Sequence, residues 1–276
     1  MQYLFLKLLP KNLFSRMMGA LSDLEAPTPL LMAIIRAYAK HYKIDLGEMK
    51  TPWADIKRFN DFFTRELKEG VRPIDEEPDV LVSPVDGALA EWGEIKDQLL
   101  LQTKGIYYSL ADLVGPEEAK CFEGGHFMTL YLSPADYHRI HTPYGGKVSR
   151  FSYFSGNLWP VNKFGVEEIG GLFSINERIY TPLDTLRGRI GMVKVGATVV
   201  GKILTTYSKL TSNQGGKTAL DLPVVPPVEY GKGQEIGRFQ LGSTVILLME
   251  PGRFEGENLE KGMKVKMGQR LGKLNP

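Results

Sequence analysis

From Val80 to the C-terminus the apolar residues come in short runs cut by glycine, a pattern that a helical bundle does not produce. Leu81–Val85, Phe127–Leu132, Ile190–Ile203 and Thr244–Met249 read as strands. The spaced glycines of Gly231–Gly237 and Gly262–Gly272 predict tight β turns. Ser83-Pro-Val-Asp-Gly-Ala-Leu89 is weakly echoed by Thr142-Pro-Tyr-Gly-Gly-Lys-Val148, each reading as a turn that opens a strand. A short helix is expected near Ser109–Leu113, and Gly215–Pro227, with its Gly-Gly and Pro-Pro pairs, reads as a mobile loop. Before Val80 the period changes. Apolar residues recur at helical spacing over Leu30–Tyr42 and again over Ile56–Leu67. The polar stretch Glu69–Asp79, which carries Pro73 and Pro78, separates the two textures. The expected class is therefore α+β: mainly antiparallel β sheets with flanking helices, a helical region over residues 1–70 and a β-rich domain over 80–276.

Charge and cysteine content narrow the function classes. With 34 basic and 32 acidic residues, the formal charge of +2 gives no bulk attraction for nucleic acid. Cys121 is the only cysteine, so neither an intramolecular disulfide nor a cysteine-rich zinc site can form. At the N-terminus, Met1–Leu9 is apolar but broken by Lys7, too short to span a bilayer. Through Ser22 there are three bases, Lys7, Lys11 and Arg16, and no acid. They accompany a broad apolar surface that includes Leu4, Phe5, Leu8, Leu13, Phe14, Met17 and Leu21. Such a segment suits a membrane interface and equally a helix packed on its own domain.

Three residue types carry the chemistry. His138 and His141 stand in Tyr137-His-Arg-Ile-His141, where two structural histidines in a turn before Pro143, or half of a metal site, compete with catalysis. Asp86 sits in an Asp-Gly turn, a position where aspartate ordinarily bonds its own backbone. Ser243 follows Gly242 and opens an apolar run, and the pair is not the elbow of an α/β hydrolase. An acid, an imidazole and a hydroxyl together make an activated nucleophile. At a Gly-Ser bond that hydroxyl has a special target, the carbonyl of the preceding residue. Attack there moves the acyl group from nitrogen to oxygen, elimination leaves dehydroalanine, and hydrolysis leaves a pyruvoyl group. Glycine before the serine permits strained backbone angles and leaves the carbonyl uncovered.

Leu241-Gly-Ser-Thr244 resembles the self-processing motif of the phosphatidylserine decarboxylase family. The resemblance extends over nearly the whole chain. It takes in Phe59-Asn-Asp-Phe-Phe-Thr-Arg65, Val71-Arg-Pro-Ile-Asp75, Ser83-Pro-Val-Asp-Gly87, Tyr137-His-Arg-Ile-His141 and Gly156-Asn-Leu-Trp-Pro-Val-Asn162. Asn176-Glu-Arg178, Val195-Gly-Ala-Thr-Val-Val-Gly201 and Gly233-Gln-Glu-Ile-Gly-Arg-Phe239 follow in the same order.

The resemblance implies roles. Asp86, His141 and Ser243 would form a self-cleavage triad, with His141 as base and Asp86 orienting it. Cleavage between Gly242 and Ser243 would give chains 1–242 and 243–276, the second capped by the pyruvoyl. His138 would act near the substrate, in proton transfer. The pyruvoyl, forming a Schiff base with the substrate amine, would be the electron sink that decarboxylation of an α-amino acid requires, without pyridoxal phosphate or metal. The implied substrate is phosphatidylserine in an anionic membrane, the product phosphatidylethanolamine, and the location peripheral, on the cytoplasmic side of the cell membrane. A homodimer of the processed heterodimer is compatible with this. A pyruvoyl decarboxylase of a soluble amino acid is the alternative, and a zinc hydrolase or binding module built on His138 and His141 is the reading from another class.

Overall fold

A computed structural model describes residues 11–198, 202–213, 219–240 and 243–276. Its frame is an eight-stranded, antiparallel sheet. The strand order is Ala219–Tyr230, Gly146–Phe154, Arg178–Thr185, Gly188–Val195, Ser243–Met249, His126–Leu132, Gly87–Glu94 and Lys264–Val265. Ser243–Met249 lies inside it, paired with His126–Leu132 through Ser243↔Leu132 and with Gly188–Val195 through Thr244↔Val195. Alternation along a strand sends its apolar side chains to two different cores. Val245, Leu247 and Met249 pack into one core, Ile246 and Leu248 into the other. Each is buried, and each such burial contributes about 1.5–3 kcal/mol. The strand that begins at Ser243 is thus pinned on two edges and both faces.

Two small sheets complete the β part. One joins Val80–Val82, Arg270–Leu274 and Phe254–Gly256, and the other joins Lys202–Thr205, Glu235–Gln240 and Arg139–His141. The internal echo has a structural meaning. The turns at Ser83–Asp86 and Thr142–Gly145 open the strands Gly87–Glu94 and Gly146–Phe154, and they bond to each other. Val82 N donates to Pro143 O at 3.0 Å, and His141 N donates to Pro84 O at 2.8 Å. Each turn is also held by a Gly-Gln pair. Ser83 exchanges bonds with Gly268 and Gln269 as Thr142 does with Gly233 and Gln234. This two-fold-like arrangement sets Asp86, in the first turn, across from His141, which enters the second.

Three sequence expectations are corrected. The helix expected over Ile56–Leu67 is only Phe59–Phe63. The Asp61 carboxylate accepts from Lys57 N and Arg58 N and starts it, while Thr64 Oγ1 bonds Asn60 O and the chain turns away to bridge Leu67 to Met49. The run Ile190–Ile203 is two strands, the first ending at Val195 and the second, Lys202–Thr205, belonging to another sheet. Within Gly215–Pro227, residues from Ala219 form an edge strand rather than a loop, and 215–218 lie outside the described residues. Its prolines are tolerated because the register breaks between Pro223 and Val228 and an edge strand has one side with no ladder to feed. The helices Thr28–Tyr42 and, near Ser109–Leu113, Leu110–Val114 form as expected.

Among the described N-terminal residues, Lys11–Ser22 is a helix. Leu13, Met17, Leu21, Leu24 and Leu30 stay 54–62% exposed. No helix among the described residues is long and apolar enough to cross a membrane. Residues 1–10, with Lys7 and the apolar side chains before it, lie outside the described residues. The helix Thr28–Tyr42 turns one face inward, Leu31 and Ile35 meeting Met49, Ile56 and Phe62 in a small core of their own. Phe63 instead joins the core of the main sheet.

Candidate active site

Ser243 is fully buried at the head of its strand, and its Oγ has no hydrogen-bond partner among the described residues. A hydroxyl shut away from water without a bond costs stability, roughly 1–3 kcal/mol. Such an orphan calls for an explanation, by a catalytic role, a ligand or an ordered water. Beside it lies a cavity of about 150 Å³, lined by Tyr131, Pro160, Asn162, Ala197 and Thr198. Gly242 lies outside the described residues.

His138 is completely buried, with its ring 4.2 Å from that of Phe63. Its Nδ1 bonds Asp136 O at 2.7 Å, which leaves Nε2 as the lone-pair nitrogen, and this atom has no partner among the described residues. Burial holds the imidazole pKa down to about 3, outweighing the carbonyl bond and the field of Asp86, with the Arg65 charge adding to the depression. His138 is therefore neutral at ordinary pH. Its backbone O accepts from Phe239 N at 3.0 Å. Phe239 precedes Ser243 by four residues, no more than about 14 Å of extended chain.

His141 ends the strand Arg139–His141. Its Nδ1 bonds Gly233 O at 2.8 Å, and its Nε2 faces the Tyr137 hydroxyl at 3.3 Å. Burial lowers its pKa as well, against the Gly233 bond and the charges of Glu235 and Asp86. Gly233 has a φ of +74°, and a Cβ there would meet Ile74 Cδ1 at 2.2 Å. The carbonyl that sets the His141 tautomer therefore depends on glycine. For both histidines the expectation of backbone bonding is correct at Nδ1. They differ at Nε2, which faces Tyr137 in His141 and has no partner among the described residues in His138.

Asp86 is buried and does not bond its own turn, contrary to the expectation for an Asp-Gly pair. Arg72 Nε reaches both carboxylate oxygens at 2.9 and 3.0 Å, and Arg72 Nη2 reaches Oδ2 at 2.6 Å. Met267 N donates to Oδ1 at 2.9 Å, with Lys266 Nζ 3.4 Å from Oδ2. The physical reason is geometric: Gly87 presses the turn onto the neighbouring strand, where a Cβ would sit 2.5 Å from Tyr131 O, and the carboxylate faces Arg72 instead. Asp86 lies close enough to stabilise charge on both histidines but bonds neither, and no bond joins either histidine to Ser243 among the described residues. Arg72, Tyr137 and Phe63 were not singled out from sequence. Each stands inside a quoted motif, and only long-range packing reveals its contact.

These pKa directions carry a testable consequence. A histidine neutral in the fold but protonated below about 6.5 once unfolded makes unfolding take up a proton. The stability it contributes is full above pH 6.5 and drains as pH falls toward the folded value. Between pH 7 and pH 5, His138 alone is expected to cost about 2 kcal/mol. Urea midpoints at the two pH values, measured with Ser243→Ala so that the chain stays in one piece, should show a smaller drop for His138→Gln. An equal drop would refute the neutral, buried imidazole.

The family model for phosphatidylserine decarboxylase matches residues 59–273. The chain is 46% identical over 272 residues to a phosphatidylserine decarboxylase proenzyme of Anaeromyxobacter sp. (strain K), covering 97% of this chain and 96% of the relative. It is 43% identical over 271 residues to the proenzyme of that name from Myxococcus xanthus (strain DK1622), at the same coverage. The corresponding proenzyme of Brevibacillus brevis is 43% identical over 269 residues, covering 95% of this chain and 94% of that one. An antiparallel α+β scaffold with buried acid, imidazole and hydroxyl thus belongs to an enzyme, a lyase. The chain is a member of the phosphatidylserine decarboxylase family.

Proposed function

We propose that this enzyme decarboxylates phosphatidylserine to phosphatidylethanolamine at a pyruvoyl group made from its own Ser243. The observation that carries this reading is the buried, unbonded Ser243 hydroxyl heading a strand fixed on every side. A group built from the three carbons of Ser243 would inherit that position and the small cavity beside it, so the residues present fit it. In maturation, His141 takes the hydroxyl proton and Oγ attacks the Gly242 carbonyl. The C–N bond to Ser243 breaks as the ester forms. Removal of the Ser243 Cα proton then expels the Gly242 carboxylate, and water releases the nitrogen as ammonia. The large chain ends at Gly242, and the small chain keeps 34 residues. Gly233 O and Tyr137 orient the imidazole, and Asp86, clamped by Arg72, supports it electrostatically.

When present, the pyruvoyl supplies the electron sink for the pair left behind as carbon dioxide departs. The chain's own part is to exclude water and manage one proton. His138 offers Nε2 as the lone-pair nitrogen, because its other nitrogen is fixed on Asp136 O, and since burial disfavours the imidazolium a proton taken there would be passed on rather than kept.

Support for a lipid over a soluble amino acid comes from the N-terminal helices. They border a groove of about 820 Å³ lined by Met18, Leu21, Leu30, Leu31 and Ile34. This groove shares Pro134 and Thr198 with the cavity at Ser243, so apolar chains laid in it would lead to the reacting end. The proposed location is the cytoplasmic face of the cell membrane, held peripherally. Near an anionic surface each base of residues 1–22 would add ~1 kcal/mol, fading within a Debye length, while apolar burial resists salt. Full-length protein should convert phosphatidylserine in vesicles, leave free amino acids untouched, and leave the vesicles only partly in high salt. Deleting residues 1–22 should weaken vesicle binding and turnover far more than self-cleavage. Preference for a free amino acid would sink the lipid reading, and undiminished vesicle binding by the truncated chain would assign the surface elsewhere.

A further inference from the structure

Arg65 is only 4% exposed, yet its guanidinium makes no hydrogen bond or ion pair among the described residues. It stacks over the Phe62 ring, 5.1 Å from the centroid, and its Nε is completely enclosed. Burial lowers its pKa, opposed by the charges of Glu48, Asp86 and Tyr137. A buried arginine without an acceptor is costly, and natural interiors rarely keep one without a ligand to complete it.

The guanidinium borders a cavity of about 360 Å³ that is separate from the one at Ser243. The loop 133–137 divides them: Leu132 and Pro134 face the Ser243 side, while Ser133, Asp136 and Tyr137 face the Arg65 side. Four carboxylates line the Arg65 cavity, and every one is engaged elsewhere. Asp45 accepts from Gly47 N, Glu48 and Asp86 hold Arg72, and Asp136 accepts from Ser133. Of the five bases that line it, Arg72 and Lys266 are paired with these acids. Arg65, Lys43 and Lys264 have no ion pair among the described residues.

We propose that this cavity is a phosphate-type oxyanion site, distinct from the reacting pocket, in which Arg65 supplies the fork and Lys43 and Lys264 supply flanking charge. Five bases against four carboxylates leave the lining with a surplus of one positive charge, and the buried Arg65 is the base that no carboxylate meets, while Lys43 and Lys264 stand exposed at its margin. A planar guanidinium matches two phosphate oxygens at once, and lysine ammoniums complete the rest as point charges. The volume admits a phosphodiester as readily as free phosphate. Lys43 directly follows the helix Thr28–Tyr42, whose apolar side borders the lipid-sized groove, so a phospholipid headgroup and an inorganic ion are the two sources to separate.

The site does not depend on decarboxylation, so the test is binding by the full-length chain, both as purified and as Ser243→Ala. Inorganic phosphate is titrated at constant ionic strength, with chloride as the balancing anion, and heat of binding is the readout. Saturable binding, weakened at least tenfold in Arg65→Gln and retained in part by Arg65→Lys, is the expected result. Lys43→Ala combined with Lys264→Ala changes two exposed side chains and should weaken binding about threefold, which covers the case in which Arg65→Gln does not fold. Phosphatidylglycerol vesicles that displace phosphate identify the lipid source, and phosphate retained in their presence identifies the free ion. Either outcome supports the site. No saturable phosphate binding by the unsubstituted protein, or unchanged binding in the folded variants, would overturn it.

Discussion

A Ser243→Ala chain is expected to remain one polypeptide of 276 residues and to release no carbon dioxide from phosphatidylserine. The parent protein should instead give two masses, one ending at Gly242 and the other beginning with a blocked, pyruvoyl terminus. The substitution is unusually clean. The Ser243 hydroxyl has no hydrogen bond to lose among the described residues, so removing it should leave stability unchanged or slightly raised. Val245 to Met249 still fill both cores, and the ladder from Ser243↔Leu132 to Met249↔His126 uses backbone groups that alanine keeps. Loss of processing cannot then be blamed on loss of the fold, and a matched urea midpoint would establish this. Intact mass and lipid turnover on the same preparations decide the matter. Cleavage and turnover by the alanine variant would remove Ser243 from the mechanism and with it the whole pyruvoyl reading.

The strand headed by Ser243 was legible because Gly242-Ser243 leads straight into an apolar run, and Thr244–Met249 reads as a strand. The α+β class followed from the change of period at Val80. What escaped the sequence was pairing over long separations. Nothing local shows that Arg72 clamps a carboxylate 14 positions later, or that Met267, at the other end of the chain, donates to the same group. Asp86 therefore read as a self-bonded turn. The edge strand Ala219–Tyr230 escaped for a different reason, since its prolines and exposed residues suit a loop unless the ladder to Gly146–Phe154 is known. Phe59, Phe62 and Phe63 kept their helical spacing, but only one turn and a little more of helix exists to use it. The site was legible in its residue types and their order, which motifs carry. Its bonding was not, because a carboxylate chooses among partners brought from several parts of the chain.

Separating the two histidines is the second large expected effect. His141→Ala and Asp86→Asn should both accumulate the 276-residue precursor, with self-cleavage slowed by about 10³-fold or more, as when one member of a cooperating triad is lost. His138→Ala should mature at least in part, yet decarboxylate at least about 100-fold more slowly, the scale of a lost general acid. The structure gives each expectation its control. Asp86→Asn keeps an oxygen for Met267 N but removes the charge facing Arg72, which retains Glu48 as a partner. Its thermal unfolding must therefore be compared with that of Ser243→Ala before slow cleavage is read as chemistry. His141 is fixed by Gly233 O and Tyr137, so His141→Gln, able to replace one of those bonds, should fold better than alanine and still fail to cleave. His138 contributes only Nε2 to the chemistry, since Nδ1 is taken by Asp136 O, and glutamine at 138 should not restore turnover. Because burial lowers the His141 pKa from its ordinary value, self-cleavage by the parent chain should fall off at a lower pH than it would with an ordinary histidine base. Normal processing in His141→Gln would show that another group takes the Ser243 proton, and normal turnover in mature His138→Ala would show that the carbanion is protonated from elsewhere.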